Sequence, residues 1–402
     1  MIPVAEAIRI VIEQSRPLEA ESVALADALG RVLAADITAD TDLPPFDRAQ
    51  MDGYAVRSAD LASVPARLRI VGEAAAGRGW RGRMEAGEAV RIMTGAPLPA
   101  GADSVQQVEV TRELEGGAFV EIERATVPGQ FYIERGKEIG AGRTVLRAGT
   151  QINAAAMAAL ASFGYAEVPV GRRPRAVVLA TGTELVAVHA QPAADQIRDS
   201  NSYSLAAYAA LAGATVERMP FASDEPESLQ ALIAEAATRA DVLVLSGGVS
   251  MGVYDFTKTA LRALDAEIFF ERVSLRPGKP TVFARLGRTL VFGLPGNPVS
   301  VSVTFNLFAR TALRAMQGSD DAALPEENAV LARAAKGAGE RESYLPAELR
   351  TDTDGHLVAE PLKWAGSSDF VAFTRAAALV IVPAGVKMLD AGERVKIVRL
   401  PD

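Results

Sequence analysis

Three stretches of sequence decide the fold: RAVVLATGTEL (residues 175–185), DVLVLSGGVSMG (241–252) and TLVFGLPGNPVS (289–300). In each stretch a short apolar run passes directly into a glycine-bearing turn. Such runs predict strands that are buried on both faces. Further apolar runs at 215–219 and 267–270, with helical patterns at 202–212 and 225–239, give an alternation of strand and helix. This alternation favours a largely parallel sheet with right-handed crossovers.

The remainder of the chain predicts further parts, so we expect an α/β and β multidomain protein. Residues 1–41 plus 138–171 predict a mixed linking domain, and residues 42–137 predict a β-rich inserted domain. Residues 172–318 form the predicted central α/β domain, with a mostly parallel sheet. Residues 319–402 predict a small C-terminal β-barrel or sandwich.

The N-terminal segment MIPVAEAIRIVIEQS predicts an amphipathic helix, because charges at Glu6, Arg9 and Glu13 interrupt its apolar residues. Val4, Ile8, Val11 and Ile12 are expected on one face. The segment does not resemble a signal peptide, and no long apolar run predicts a membrane span. We therefore expect a cytoplasmic protein with no membrane partner.

Composition excludes several kinds of chemistry. The chain of 402 residues has no Cys, which excludes disulfides, thiolate zinc sites and cysteine nucleophiles. His189 and His356 are the only two histidines, so a histidine cluster is excluded. The balance of 42 Lys and Arg against 50 Asp and Glu gives a net charge of −8, which argues against a nucleic-acid partner.

The three turns are expected to form one ligand site, because the carboxyl ends of parallel strands meet at one edge of a sheet. The second turn offers glycines that let a phosphate approach backbone N–H groups, and hydroxyls that can donate: Ser246, Gly247, Gly248 and Ser250. In the third turn, Pro295 and Pro298 would stiffen the entry to a helix at 299–313. Taken singly, each turn has the alternative role of a plain connection.

Charged residues near these turns suggest what the site binds. Arg272, Arg276 and Lys279 in RVSLRPGKP predict an anion clamp, with a solvated basic face as the alternative. Carboxylates beside a phosphate site are what Mg²⁺ requires, and the candidates are Glu184, Asp224 and Asp255. Helix capping is an equally good interpretation of Asp224.

Turns elsewhere hold further polar candidates. MDGYAVR (51–57) carries Asp52, and RIMTGAPLPAGAD (91–103) carries Thr94. In IRDSNSY (197–203), Asp199 and Asn201 could contact a ligand or cap the next helix.

Together, MDGYAVR, GEAVRIMTGAPLPAGAD, ATGTEL, IRDSNSY, SGGVSMGVYDFTK, LRPGKP and GLPGNPVS occur in an order and spacing that resemble the MoeA family of molybdopterin molybdenumtransferases, to which the gephyrin E domain is similar. The resemblance implies homodimers that take adenylylated molybdopterin and molybdate. A Mg²⁺-dependent step releases AMP and gives molybdenum cofactor. It also implies a cleft shared between subunits, and contacts with the molybdopterin adenylyltransferase and apo-molybdoenzymes.

The resemblance also implies roles for individual residues. The implied catalytic set is Asp52, Thr94, Glu138, Glu184, Asp224 and Asp255, of which Glu184, Asp224 and Asp255 would bind the metal. The implied substrate-binding set is Ser246, Gly247, Gly248, Ser250, Arg272, Arg276, Lys279, Pro295, Pro298, Arg341 and Ser367. Glu138 stands where the family usually has Asp. The alternative is a non-catalytic or tungstate-preferring paralogue that acts as a cofactor-binding scaffold.

Overall fold

The computed structural model describes residues 1–222, 225–248 and 256–401. Its α-helices are α1 (Val4–Gln14), α2 (Ala154–Ser162), α3 (Asn201–Leu211), α4 (Pro226–Ala237), α5 (Phe256–Ala263), α6 (Pro298–Thr304), α7 (Arg310–Met316) and α8 (Phe370–Phe373). A π-helical turn, Phe305–Ala309, joins α6 to α7. Short 3₁₀ turns occur at Leu25–Asp27, Ser58–Leu61, Val108–Val110 and Glu115–Gly117.

The strands of the first half are β1 (Ala20–Ala24), β2 (Ile37–Thr38), β3 (Arg48–Ala49), β4 (Gly53–Val56), β5 (Ala66–Ala74), β6 (Glu88–Ile92), β7 (Ser104–Gln107), β8 (Thr111–Leu114), β9 (Phe119–Ile122), β10 (Tyr132–Ile133), β11 (Thr144–Leu146), β12 (Glu167–Gly171), β13 (Arg175–Ala180), β14 (Leu185–Val186) and β15 (Ile197–Arg198). Those of the second half are β16 (Thr215–Arg218), β17 (Val242–Ser246), β18 (Glu267–Phe270), β19 (Leu275–Arg276), β20 (Val282–Leu286), β21 (Thr289–Leu294), β22 (Glu326–Leu331), β23 (Ala335–Lys336), β24 (Glu342–Thr351), β25 (Leu357–Pro361), β26 (Ala378–Val382), β27 (Met388–Leu389) and β28 (Arg394–Arg399).

The chain divides into two compact units. The first comprises Met1–Ala35, Ala148–Met157 and Glu167–Asp402, and the second comprises Asp36–Arg147 and Ala158–Ala166. The finer four-domain division drawn from the sequence stays a prediction.

The first unit contains the predicted α/β sheet, with strand order β16-β13-β17-β21-β20-β18. β16, β13, β17 and β21 are parallel neighbours. Alternate side chains of a strand point to opposite faces, and both faces are covered. Val178 and Val244 pack with α3 and the helices that follow β21, whereas Val177 and Leu243 pack with α4 and α5. Burial on both faces explains why these strands are almost uniformly apolar.

One strand of this sheet runs against the others. β20 is antiparallel to both β21 and β18, so the sheet is mixed although mostly parallel as predicted. β20 and β21 form a hairpin in which Leu286 pairs with Thr289, and Gly287 lies in the turn with φ of +59°. Two-residue hairpin turns need such positive φ values. The sequence pattern had not predicted β20.

The C-terminal sheet of the first unit is a closed barrel. Its order is β19-β24-β25-β22-β28-β26, and an additional pairing between β24 and β26 closes the ring. Its interior is filled by apolar side chains that include Leu345, Ala359, Val380 and Ile397. The predicted β-barrel is confirmed, and β19 is a short parallel addition that pairs with β24.

The second unit is built around the sheet β7-β4-β6-β5-β9-β8. β4 lies between β7 and β6 and is buried along its length. Ala55, Val90 and Val105 pack on one face of this sheet, and Tyr54 and Val120 pack on the other. The predicted β-rich character of this region is confirmed.

Two details of the helices differ from expectation. In α1, Val4 and Val11 are buried as predicted, but Ala7 completes the buried face and Ile12 is 41% exposed. The helix after the third turn extends from Pro298 to Met316 with the π-helical turn in its middle. In the described part of the chain, the helices lack the length and apolar character needed to cross a bilayer.

Candidate active site

The three predicted turns meet at the carboxyl edge of β13, β17 and β21. Ala180 lies in register with Ser246, and Ser246 lies in register with Leu294. The N–H of Thr181 donates to the Ser246 carbonyl at 2.8 Å, and the N–H of Gly247 donates to the Leu294 carbonyl at 3.1 Å. Each turn therefore begins hydrogen-bonded to its neighbour, and the predicted common edge is confirmed.

Gly247 occupies a position that excludes a side chain. Its φ is +97°, and a Cβ there would lie 2.3 Å from the carbonyl oxygen of Thr181. Its N–H already donates to the Leu294 carbonyl and is therefore not free to bind a phosphate. The glycine instead allows the first and second turns to lie close together. Gly248 also has a positive φ, of +63°.

Asn201 joins the second turn to the third. It is the first residue of α3, and its Nδ2 donates to Ser246 Oγ at 2.9 Å and to the Gly296 carbonyl at 2.7 Å. The preceding Asp199 is buried and accepts hydrogen bonds from Ser202. The sequence had offered both residues either as ligand contacts or as caps of the next helix. Asp199 accepts from the Ser202 N–H in the first turn of α3, as a capping residue does, whereas Asn201 links the second and third turns.

A cleft of about 810 Å³ lies beside the third turn, where the sheet edge faces the barrel. Five of the predicted substrate-binding residues line it: Arg276, Lys279, Pro295, Arg341 and Ser367. Three further cations, Arg333, Lys336 and Lys363, come from the barrel. Among the described residues, every charged side chain in the lining is cationic. Such a cleft attracts anions, because its walls concentrate potential of one sign.

Ser367 is held at the junction of the sheet edge and the barrel. Asn297 Nδ2 donates to Ser367 Oγ at 2.8 Å, and the Val299 N–H donates to the Ser367 carbonyl at 2.9 Å. Pro298 begins α6 and has no N–H, so Val299 carries the first backbone donor of the helix. The Ser367 hydroxyl oxygen accepts this hydrogen bond from Asn297, and its O–H can donate a hydrogen bond to another group.

Arg276 and Arg341 are brought together by strand pairing. β19 pairs with β24 in a register that sets Leu275 against Glu342, and Arg341 Nη1 donates to the Leu275 carbonyl at 3.3 Å. The segment 364–369 is organised by Asp369, which accepts from the N–H groups of Ala365 at 2.9 Å and Ala372 at 3.1 Å. These backbone hydrogen bonds, that of Ala365 first, hold the pKa of Asp369 below its ordinary value.

Other predicted site residues lie outside this lining. Glu184 is exposed in the first turn, Arg272 is exposed before β19, and Pro298 begins α6. Ser246, Gly247 and Gly248 lie at the sheet edge next to the third turn. Asp224, Ser250 and Asp255 lie outside the described residues. Within residues 1–222, 225–248 and 256–401, no group of three His, Asp or Glu side chains is placed to hold a metal ion.

The second unit contains three of the predicted catalytic residues. Asp52 Oδ1 accepts from the N–H and from the hydroxyl of Thr94, both at 2.7 Å. These bonds, the backbone one first, hold the pKa of Asp52 below its ordinary value. Glu138 is exposed and lies 3.4 Å from Arg48 Nη2.

Sequence reasoning missed Arg333, Lys336 and Lys363, because none follows a turn motif. One signal was available for Lys363: it lies three residues before Gly366, the first residue of the GSSDF segment that identified Ser367. Arg333 lies in the connection between β22 and β23, Lys336 ends β23, and neither carried a comparable signal.

Comparison with known proteins matches three consecutive family models to the chain. These are the MoeA N-terminal region (domain I and II) over residues 2–164, a probable molybdopterin binding domain over residues 177–315, and the MoeA C-terminal region (domain IV) over residues 328–400. A molybdopterin molybdenumtransferase of Bacillus subtilis is 36% identical, covering 98% of this chain and 93% of that protein. One from a Nostoc species is 35% identical, covering 95% and 89%.

Solved structures of molybdopterin biosynthesis MoeA proteins from Pyrococcus horikoshii are also similar. One has a TM-score of 0.87 at 26% identity and covers 100% of both chains. Another has a TM-score of 0.82 at 32% identity and covers 99% of both chains.

Proposed function

The chain belongs to the MoeA family and is a transferase of molybdenum cofactor biosynthesis, and on that premise we propose that it inserts molybdate into adenylylated molybdopterin with Mg²⁺-dependent release of AMP. The observation that carries the proposal is the meeting of three turns at one sheet edge, directly beside a cationic cleft. An adenylylated, phosphorylated pterin and a metal oxyanion are both anions. A sheet edge of this kind is where open α/β folds bind such ligands.

The oxyanion is proposed to bind in the cleft. Arg276 and Arg341 offer planar, always-charged groups that hydrogen-bond an oxyanion through two donors at once, and Lys279 adds a point charge. Ser367 adds a hydroxyl donor that Asn297 orients. These residues would hold the oxyanion next to Pro295, on the turn that also contacts Asn201 through Gly296.

The pyrophosphate of the substrate is proposed to lie along the sheet edge. Gly248 lies there, just beyond the end of β17, next to Ser246, whose buried hydroxyl oxygen accepts from Asn201. The Asn201 amide donates to both Ser246 and Gly296 and so fixes the second turn against the third. The pyrophosphate and the oxyanion would therefore be held at a fixed position relative to each other. Positioning of this kind is the main contribution of a protein to phosphoryl chemistry.

The donor set at this edge consists of oxygen atoms, which fits a hard cation such as Mg²⁺. We propose that Glu184 holds Mg²⁺ together with substrate phosphate oxygens, and that Asp224 and Asp255 contribute further carboxylates. When bound, the ion would neutralise charge on the pyrophosphate and polarise it. Glu184 is exposed in the described structure, so its carboxylate is accessible to a cation.

The proposal is tested with the purified protein, adenylylated molybdopterin, Mg²⁺ and either molybdate or tungstate, following AMP and the metallated product. We expect AMP release that requires both Mg²⁺ and oxyanion. Glu184→Gln should lower the rate by roughly 100-fold or more, because a carboxylate ligand is lost. Glu267→Gln is the matched control, since Glu267 lies at the first residue of β18, at the opposite edge of the sheet.

Binding of the substrate without AMP release would contradict the proposal and support a cofactor-binding scaffold instead. Turnover with tungstate in clear preference to molybdate would support a tungstate-preferring paralogue. We also propose a cytoplasmic homodimer that meets the molybdopterin adenylyltransferase and apo-molybdoenzymes. Light scattering of the same preparation measures the oligomeric state.

A further inference from the structure

Trp364 is the only aromatic side chain among the described residues that line the cleft. It is partly buried and packs against two apolar clusters, the core around the central sheet and the interior of the barrel. The next residue, Ala365, donates its N–H to Asp369, and the Ser367 carbonyl accepts from Val299. The indole is therefore held on its protein side and borders the cleft at a set position.

The indole has no stacking partner in the part of the chain that the structure describes. Elsewhere aromatic rings pack in pairs, such as Phe283 with Phe292, and guanidinium groups lie over rings, such as Arg218 over Tyr203. No such group covers Trp364, although cations line the same cleft. An aromatic ring that borders a cleft offers a surface on which a flat, conjugated ligand can stack.

The cleft is too large for an oxyanion alone. Its volume of about 810 Å³ lies in the range of sites for organic ligands, roughly 300–1,000 Å³. Apolar side chains lie among the cations of its lining, including Pro277, Pro295, Leu345 and Leu362. A lining of this mixed composition accommodates an organic ring beside an anion.

Molybdopterin contains a flat heteroaromatic system close to the atoms that receive the metal. The two sulfur atoms that take the metal lie on a pyran ring, and that ring is fused directly to the pterin. The adenine of the adenylylated form is further away, beyond a ribose and two phosphates. With the oxyanion bound by Arg276 and Arg341 as proposed above, the pterin must therefore lie within or at the same cleft, whereas the adenine need not.

We propose that Trp364 stacks on the pterin ring of the substrate and so orients the sulfur atoms toward the oxyanion. This inference rests on the proposed function, from which it takes the substrate and the position of the oxyanion. It adds a binding residue that neither the turn motifs nor the family resemblance implied. Since stacking depends on a flat ring and not on net charge, its contribution is far less sensitive to salt than that of the surrounding cations.

The test is calorimetric binding of adenylylated molybdopterin to the full-length protein, without Mg²⁺ or oxyanion so that no turnover occurs. Trp364→Leu keeps an apolar side chain but removes the ring, and we expect it to weaken binding roughly 10-fold. Trp364→Phe keeps a flat ring and should lose about 3-fold or less. Phe370→Leu is the matched control and should bind as the unaltered protein does, because Phe370 is an exposed aromatic residue of the same segment outside the lining.

Unchanged binding in Trp364→Leu would overturn the proposal. Equal losses in Trp364→Leu and Trp364→Phe would do so too, because they would show that the indole fills space and does not stack. An equal loss in Phe370→Leu would also overturn it.

Molybdopterin without the adenylyl group identifies which ring is stacked. Trp364→Leu should weaken its binding by the same factor, because the pterin is common to both ligands. A loss seen only with the adenylylated form would assign the indole to the adenine and overturn the proposal.

A second measurement leaves Trp364 in place. The chain has two tryptophans, Trp80 and Trp364, so Trp364 is the only tryptophan of the Trp80→Phe variant. Bound molybdopterin should slow the quenching of its fluorescence by acrylamide, because the pterin covers the indole. An unaltered quenching rate at saturating ligand would overturn the proposal, even where Trp364→Leu is too unstable to assay.

The outcome is separable from that of the proposed function. Ring-dependent binding of molybdopterin without AMP release, once Mg²⁺ and oxyanion are added, would remove the proposed function and keep the stacking. AMP release by a protein whose Trp364→Leu variant binds molybdopterin as tightly as before would do the opposite.

Discussion

The central sheet contributes to the cleft through one turn that is continuous in sequence, whereas the barrel contributes side chains from separate segments of the chain. Pro295 and Asn297 belong to a motif that directly follows β21. Arg333, Arg341 and Lys363 belong to separate segments that are joined only by the pairing of barrel strands. One side of a cleft can therefore be lined with cations that leave no common motif in the sequence.

The largest expected effect comes from a substitution that disturbs the sheet edge and leaves the barrel side of the cleft unchanged. Gly247→Ala places a Cβ 2.3 Å from the Thr181 carbonyl at φ of +97°. We expect a loss of unfolding free energy above the roughly 1–2 kcal/mol that a left-handed backbone alone costs. Chemical denaturation measures it.

Gly296→Ala is the matched control for that substitution. A Cβ at Gly296 meets its nearest atom, the Cα of Gly247, at 3.7 Å, which is an ordinary contact. We expect a change within about 0.5 kcal/mol. Equal losses in the two variants would show that the close approach at Gly247 is not what stabilises this edge.

The next prediction compares a cation that precedes the barrel, Arg276, with one in the barrel region, Arg341. Arg276→Ala and Arg341→Ala should each weaken sulfate or molybdate binding by roughly 10- to 100-fold, since each removes a charge-assisted hydrogen-bond donor from the cleft. Arg272→Ala should cost less than Arg276→Ala, because Arg272 does not line the cleft. Arg288→Ala, at an exposed hairpin turn, is the control for loss of an arginine. Calorimetry measures all four variants, and a loss confined to Arg276 would remove the barrel from the site.

The smallest expected effect concerns the barrel segment that carries Ser367. The folded-state pKa of Asp369 is depressed, so its contribution is present above the ordinary value of about 3.9 and is lost as pH falls through the lowered folded value. We expect sulfate affinity to be insensitive to Asp369 titration at neutral pH and to weaken in strong acid. Asp369→Ala should lose roughly 3- to 10-fold already at neutral pH, when two backbone N–H groups lose their acceptor.

Calorimetry across pH, with sulfate as the anion, checks this expectation. Glu348→Ala is a suitable control, because Glu348 is an exposed barrel carboxylate whose pKa is likewise lowered, chiefly by Arg375. An affinity that is the same for Asp369→Ala and the unaltered protein would exclude a positioning role for Asp369.

The sequence predicted those parts of the fold that short-range patterns encode. β13, β17 and β21 are buried on both faces and read as apolar runs, and their turns follow directly, so the common edge could be expected. β20 was missed because it follows the turn-rich segment RPGKP. It also joins β21 through a tight hairpin, so no helix separates the two strands and the strand–helix alternation gave no sign of it. The barrel was expected, but its closure through β24 and β26 depends on pairing between distant segments.

From local chemistry alone, the candidate site could be predicted only where a residue belongs to a motif of its own neighbours in sequence. Five substrate-binding predictions, Arg276, Lys279, Pro295, Arg341 and Ser367, lie together in the cleft, and their roles stay predictions. The engagement of the Gly247 N–H by Leu294 could not be read from the sequence, because it depends on which strand lies beside β17. The resemblance to a family supplied Arg341 and Ser367, which local chemistry alone would not have selected.

The hydrogen bond from the Val299 N–H to the Ser367 carbonyl fixes a spacing by main-chain atoms alone. Because neither partner is a side-chain atom, substitutions along the lining can alter charge while the gap between sheet and barrel keeps its width. The distance between these two segments is thus independent of which charged side chains line the cleft.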